Sequence, residues 1–245
     1  PSQRGGHNTQ TKLRAELAYA QTHTRSVKLQ IPSGHNEARL AARLGASAVG
    51  LVGDMPSGPG VIGAQAAAKI AREAPTGLDT FLLTSGERAA DIANELAVCP
   101  ASTVQIVRHI DPEEYPALIE AVPQVRRVQV IHIEDEGALT LATRYTPFVQ
   151  AFLLDSGRTS GATPQFGGTG NTHDWSISAR FVAQTALPVY LAGGLKSANV
   201  YEAITQVRPF GVDLCTGVRT NDQLDEEKLK SFMEEVRRAG EALRT

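Results

Sequence analysis

Asp155 ends an apolar run in the segment LLDSG, and a carboxylate at the end of a buried strand is costly unless it is used or paired. It is a candidate general acid or base; the structural alternative is a carboxylate that caps its own loop. Further on, the segment GGTGNTHDW carries Gly168 and Gly170, whose backbone could wrap a phosphate. His173, Asp174 and Trp175 then suit the start of a helix, with Asp174 as its N-cap. Gly193 and Gly194 in LAGGLKSANV, and Thr216 and Gly217 in GVDLCTGVR, follow two more apolar runs. Glycine lets backbone amides approach an anion closely because no Cβ stands in the way. A tight turn is the simpler account of either segment alone; two in successive units point to a phosphate cradle. His109 and His132 are candidate proton acceptors at neutral pH, with core packing as the plain alternative. Gln30, Arg108, Asp213 and Arg219 complete the polar residues expected to face a substrate.

These residues need a scaffold that brings them together. From Val27 onward, short apolar runs alternate with helical stretches. The runs are Val27–Ile31, Ala48–Gly53, Leu78–Leu83, Thr103–Val107, Val128–Ile133, Val149–Leu154, Val189–Ala192 and Gly211–Cys215. The helical stretches are Asn36–Leu44, Ala64–Glu73, Glu87–Ala97, Pro112–Ala121, Glu136–Tyr145, Ser176–Thr185, Ala198–Val207 and Asp225–Ala239. Strands that are apolar throughout belong to parallel sheets covered on both faces. Asp111-Pro112 and Asp225 read as helix starts, and Ala239-Gly240 as a helix end. Eight such units close a (β/α)8 barrel, an α/β fold of about this length; an open doubly wound sheet is the alternative. No linker interrupts the pattern, so residues 26–245 read as one barrel domain. Residues 1–25 read as an N-terminal extension, with a short helix over Thr11–Gln21 as one option.

In such barrels the working face lies at the C-terminal ends of the strands. The residues there are Gln30, Ser33 and His35, then Asp54, Thr84 and Ser85. Arg108, His109, His132 and Glu134 follow, then Asp155, Ser156, Gly193, Gly194, Thr216, Gly217 and Arg219. Composition narrows the partners. The 245 residues carry 24 Lys+Arg against 26 Asp+Glu, a net charge of −2, with 42% hydrophobic residues. That balance offers no field to attract nucleic acid. No apolar run reaches the roughly 20 residues of a membrane helix, and the first residues lack a secretory signal pattern. The two cysteines, Cys99 and Cys215, make neither a disulfide framework nor a zinc site. A cytoplasmic protein with a small-molecule partner is expected, without nucleic acid or membrane; a homodimer is compatible with the sequence.

The segments LLDSG, GGTGNTHDW, LAGGLKSANV and GVDLCTGVR together resemble the phosphoribosylanthranilate isomerase family of tryptophan biosynthesis, over Leu153–Val218. Weaker likeness covers Val27–Gln30 and Thr103–His109. The resemblance implies a (β/α)8 barrel, a phosphoribosyl substrate, no cofactor, and an Amadori rearrangement in which an aminoaldose opens, a proton leaves C2′ and a ketose forms. It also implies an acid at the sixth strand, which Asp155 matches, and a cysteine base at the first strand, where this chain has Gln30. A neutral amide cannot take that proton. Cys99 follows a helix, and Cys215 lies on the phosphate-side strand where the family usually has Ser, so neither offers an obvious replacement. The basic residues the family carries after the second strand are missing from residues 54–60, and Arg219 stands where Glu is common.

Three readings follow. The first is a divergent sugar-phosphate isomerase acting on a substrate other than phosphoribosylanthranilate, with Asp155 as general acid or base and His132 or His109 as its partner. The second is a noncatalytic phosphometabolite binder. The third is a genuine phosphoribosylanthranilate isomerase with a surrogate base.

Overall fold

The computed structural model describes residues 26–31, 34–53, 62–157 and 172–244. The expected helix over Thr11–Gln21, and Ser33, Asp54, Gly168 and Gly170, lie outside the described residues. The strands are β1 (Ser26–Ile31), β2 (Ala48–Val52), β3 (Asp79–Thr84), β4 (Thr103–Ile106), β5 (Arg126–His132), β6 (Ala151–Asp155), β7 (Val189–Leu191) and β8 (Gly211–Leu214). All pair in parallel in sequence order, and β8 returns to β1, so the sheet is a closed barrel. The helices are α1 (His35–Arg43), α2 (Ala64–Glu73), α3 (Ala89–Val98), α4 (Glu114–Ala121), α5 (Gly137–Tyr145), α6 (Trp175–Gln184), α7 (Val200–Val207) and α8 (Glu226–Ala242). The (β/α)8 expectation holds, and the open sheet is excluded.

Strand periodicity explains the two cores. Successive side chains point to opposite faces. Val27, Leu29 and Ile31 of β1 thus join the layer between sheet and helices, with Val49 and Leu51 of β2 and Phe152 and Leu154 of β6. Phe81, Leu83, Val128, Val130, Leu153 and Tyr190 fill the barrel interior. Full burial of a Leu or Ile stabilises by about 1.5–3 kcal/mol each, so the outer layer, where most of the α–β contact lies, dominates the hydrophobic stabilisation.

The strands are less uniformly apolar than expected. Lys28, Thr103, Gln105, Gln129, His132 and Asp213 are all buried. Asp174 caps α6 through the Ser176 amide, and Asp225 caps α8 by accepting from the Glu227 and Lys228 amides, as their types predicted. Asp111 accepts from the Glu113 amide just ahead of α4. The expected stop at Ala239-Gly240 is corrected: Gly240 is buried inside α8, which runs on to Ala242. Intrahelical bonds and burial outweigh the weak helix propensity of one glycine.

One element escaped the sequence reading. After β8 the chain makes a 3-10 turn (Thr216–Val218) and a small hairpin of β9 (Arg219–Thr220) and β10 (Gln223–Leu224). Asn221 and Asp222 at its tip both have positive φ, 50° and 61°, a conformation that short polar side chains tolerate.

Candidate active site

The C-terminal strand ends converge on one mouth, and a pocket there is walled by Gln30, Asp155, Ala192–Leu195 and Asp213–Gly217. Its floor is an ion pair. Lys28 Nζ lies 2.8 Å from Asp213 Oδ1, with both side chains at 1% exposure or less, and 5.4 Å from the centre of the Phe81 ring. Gly50 makes room for it: a Cβ there would stand 3.3 Å from Lys28 Nζ. The Gln30 amide donates to Asp213 Oδ2 at 3.3 Å. Lysine and carboxylate thus share the desolvated site, where either alone would be costly.

The loops after β7 and β8 form one wall of this pocket. Gly193 and Gly194 have φ of 87° and 60°, which non-glycine residues adopt only with strain. The two loops touch so closely that a Cβ on Gly217 would fall 2.0 Å from the Leu195 carbonyl oxygen. Asn199 fixes the first loop by accepting from the Lys196 amide at 2.8 Å and donating to the Gly194 carbonyl at 3.0 Å. The amides of Gly193, Gly194, Thr216 and Gly217 have no acceptor among the described residues. Amides without partners beside one pocket are donors for an anion.

Asp155 ends β6, the strand beside β7, and lines the same pocket. Its Oδ1 accepts from the Ser156 amide at 2.7 Å. Burial raises its carboxyl above the usual range, and Asp213 pushes the same way; His132, the Ser156 amide and Lys28 oppose them.

The remaining candidates divide. His132 is the direct β5 neighbour of Asp155; it is buried, with Nε2 3.0 Å from the Val107 carbonyl. His109 lies against it, ring centres 5.6 Å apart, and burial lowers its imidazole to about 4 with His132 adding to the effect. Neither histidine lines the pocket of the cradle. Arg108 pairs with Glu87 at 2.8 Å on the rim. His35 faces outward, 3.5 Å from Glu73 on α2. His173 bonds the buried Ser178 hydroxyl at 2.7 Å.

Arg219, expected to face a substrate, is engaged in a tie between elements. Its fork meets both Glu37 oxygens at 2.9 and 3.0 Å and donates to the carbonyls of Gln30 and Asp222 at 3.0 Å. Guanidinium and carboxylate match bidentately, and the pair pins the β9–β10 hairpin to the end of β1 and to α1. Among the described residues no group of three or more His, Cys, Asp or Glu could hold a metal, and no helix is long and apolar enough to cross a membrane.

Fold and site define the class: a single closed (β/α)8 barrel with a polar pocket at its C-terminal mouth. The sequence profile of N-(5′-phosphoribosyl)anthranilate isomerase matches residues 57–235. The chain belongs to this family, isomerases of tryptophan biosynthesis. It is 33% identical over 199 residues to N-(5′-phosphoribosyl)anthranilate isomerase 2 of Methanosarcina mazei, covering 80% of this chain and 87% of that one. It is 31% identical to the enzyme of that name from Methanocella arvoryzae, covering 82% and 92%. The phosphoribosyl anthranilate isomerase structure from Thermococcus kodakaraensis superposes with a TM-score of 0.72 at 26% identity, over 87% of this chain and 99% of that one. These likenesses support neither the noncatalytic reading nor a divergent role. The profile match begins beyond β1 and β2, the region where the sequence departs from the family's pattern.

Proposed function

We propose that this barrel isomerises N-(5′-phosphoribosyl)anthranilate, the substrate named for its relatives. The observation that carries the reading is that one pocket is bounded by the glycine amides of β7 and β8 and by the Asp155 carboxyl. The cradle takes the phosphate. Asp155 protonates the ribose ring oxygen as the C1′–O bond breaks, and the nitrogen lone pair forms the open-chain iminium. Loss of the C2′ proton then yields an enolamine that becomes the ketose. The raised carboxyl of Asp155 suits the first step, because an acid must be protonated at working pH to act. Its neighbour His132 opposes the cost of the carboxylate left behind.

The experiment is turnover of phosphoribosylanthranilate by the purified protein, followed by loss of substrate fluorescence, beside Asp155→Asn. Turnover in the wild type and its loss in the variant are expected. A wild type that binds ribose 5-phosphate but leaves the substrate unchanged would overturn the assignment.

A further inference from the structure

The reaction proposed above needs a base as well as an acid, and the strand register supplies a candidate. β1 and β8 place Lys28 opposite Asp213 and Leu29 opposite Leu214. Lys28 and Asp213 point into the barrel, where they pair. Leu29 and Leu214 point out into the helix layer. Gln30 follows Leu29 on β1 and reaches Asp213 inside the barrel, Cys215 is the first residue after β8, and both line the pocket that holds Asp155 and the cradle. Cys215 is half-buried and free of disulfide. The other titratable groups are engaged elsewhere. Asp213 is held by Lys28 and Gln30. His132 is held by the Val107 carbonyl, and His109 packs behind it against Tyr145.

We infer that Cys215 is the general base of this enzyme, a role that rests on the isomerase reading. Its thiolate takes the proton from C2′ of the iminium. The C2′–H electron pair becomes the C1′=C2′ bond, and the C=N pair moves onto nitrogen. The thiol returns the proton to C1′ as the C2′ hydroxyl proton passes to the Asp155 carboxylate. Both groups end in their starting forms.

The charged groups around the thiol are Arg219, Lys28 and Asp213. Burial raises the thiol above its ordinary value and Asp213 adds to this, while Arg219, through its charge and a hydrogen bond, and Lys28 draw it down. Asp155, facing His132, Asp213 and Lys28, is raised as well. Activity needs acid protonated and base deprotonated together, so the profile of kcat/KM against pH is flat between the two values and falls outside them. A thiol base therefore keeps the enzyme active into the alkaline range. With His109 as base, at about 4, activity would already fall as pH rises past Asp155.

The test measures steady-state turnover of phosphoribosylanthranilate by wild type, Cys215→Ala, Cys215→Ser and the double variant Cys215→Ala with Gln30→Cys. Cys99→Ala is the control, its thiol being buried outside the pocket. Expected is a kcat lower by about 10²–10⁴-fold in both single Cys215 variants, with KM and melting temperature little changed. The thiol restored one strand over, at position 30, should recover at least about tenfold of the loss. An unchanged kcat in Cys215→Ala, or a raised KM with kcat intact, overturns the inference; the second would mark the thiol as a phosphate contact only. No turnover by the wild type would sink the isomerase reading itself, and the base assignment with it.

Discussion

The two sides of the barrel mouth keep their chemistry by different means. The β7–β8 side works with backbone: glycine amides, two positive φ angles and a loop contact that leaves no room for a Cβ on Gly217. The β1–β2 side works with side chains, and there the chain departs from its family, with Gln30 at the first strand end and no basic residue after the second. A backbone cradle has few sequence solutions, since only glycine fits. Side-chain chemistry can move to a neighbouring strand provided the functional atom still reaches the same volume. Arg219 shows the same freedom in a structural role: with Glu37 it ties the end of β1 to the β9–β10 hairpin.

This contrast can be broken or sharpened by substitution. Asp155→Asn has the largest expected effect, because it removes the proposed proton donor without changing the shape of β6. We expect kcat to fall about 10³-fold or more, at the upper end of what a general acid supplies, with substrate still bound at the cradle. A kcat within about tenfold of wild type would move the acid elsewhere. Gly217→Ala attacks the backbone side. Its Cβ would fall 2.0 Å from the Leu195 carbonyl oxygen, so the two loops must part. A shift of about 1 Å in a positioned group can cost about 10²-fold, and we expect that loss mainly as a raised KM for the phosphorylated substrate. Equal loss of binding for a dephosphorylated analogue would show that the cradle does not hold the phosphate.

Lys28→Met tests the floor that both sides share. It leaves Asp213 buried at 2% exposure without its cation, a change that costs about 3–5 kcal/mol when a buried pair is broken. Urea unfolding of Lys28→Met against Lys28→Met with Asp213→Leu separates the stranded charge from lost packing. The double variant should regain most of the loss; if it is no more stable than the single one, the charge is not the cause.

The barrel was legible because each strand is a short apolar run and each helix has its own amphipathic pattern, so all eight helices start and stop within about three residues of their expected limits, the largest miss being the end of α8. The glycine pairs at two successive strand ends stood out in the sequence, and the two segments line one pocket. Cys215 was read as a phosphate-side residue offering no obvious replacement for a base at position 30, and the reason is topological. Strands β1 and β8 are neighbours only because the barrel closes, and no local pattern shows closure. Once eight units are counted, β8 pairs with β1, and the residue after it, Cys215, comes to the same pocket as Gln30. The Arg219 tie was hidden for a similar reason: its partner Glu37 lies 182 positions away, and the hairpin that orients it is too short to leave a periodic signal. The buried Lys28 shows in the sequence only as one charge inside an apolar run, and its partner likewise comes from the far end of the chain.

The smallest expected effect concerns acid sensitivity and falls between the two sides of the mouth. His109 stands beside β4 and β5, and His173 leads into α6. Burial lowers each imidazole from 6.5 to about 4. In the unfolded chain each binds its proton near 6.5, so between that value and about 4 the unfolded state holds more protons than the native one. Their stabilising contribution is therefore full above 6.5, declines as pH falls, and is gone below about 4. Melting temperature should drop by a few degrees through this window, and more gently in His109→Gln and His173→Gln. Partial exposure weakens both effects, so the flattening is expected to be modest. His173→Gln also loses the bond to the Ser178 hydroxyl, which lowers its curve as a whole, whereas His109→Gln should change the slope with little offset. Parallel wild-type and His109→Gln curves would mean that the His109 imidazole is not held neutral by its surroundings.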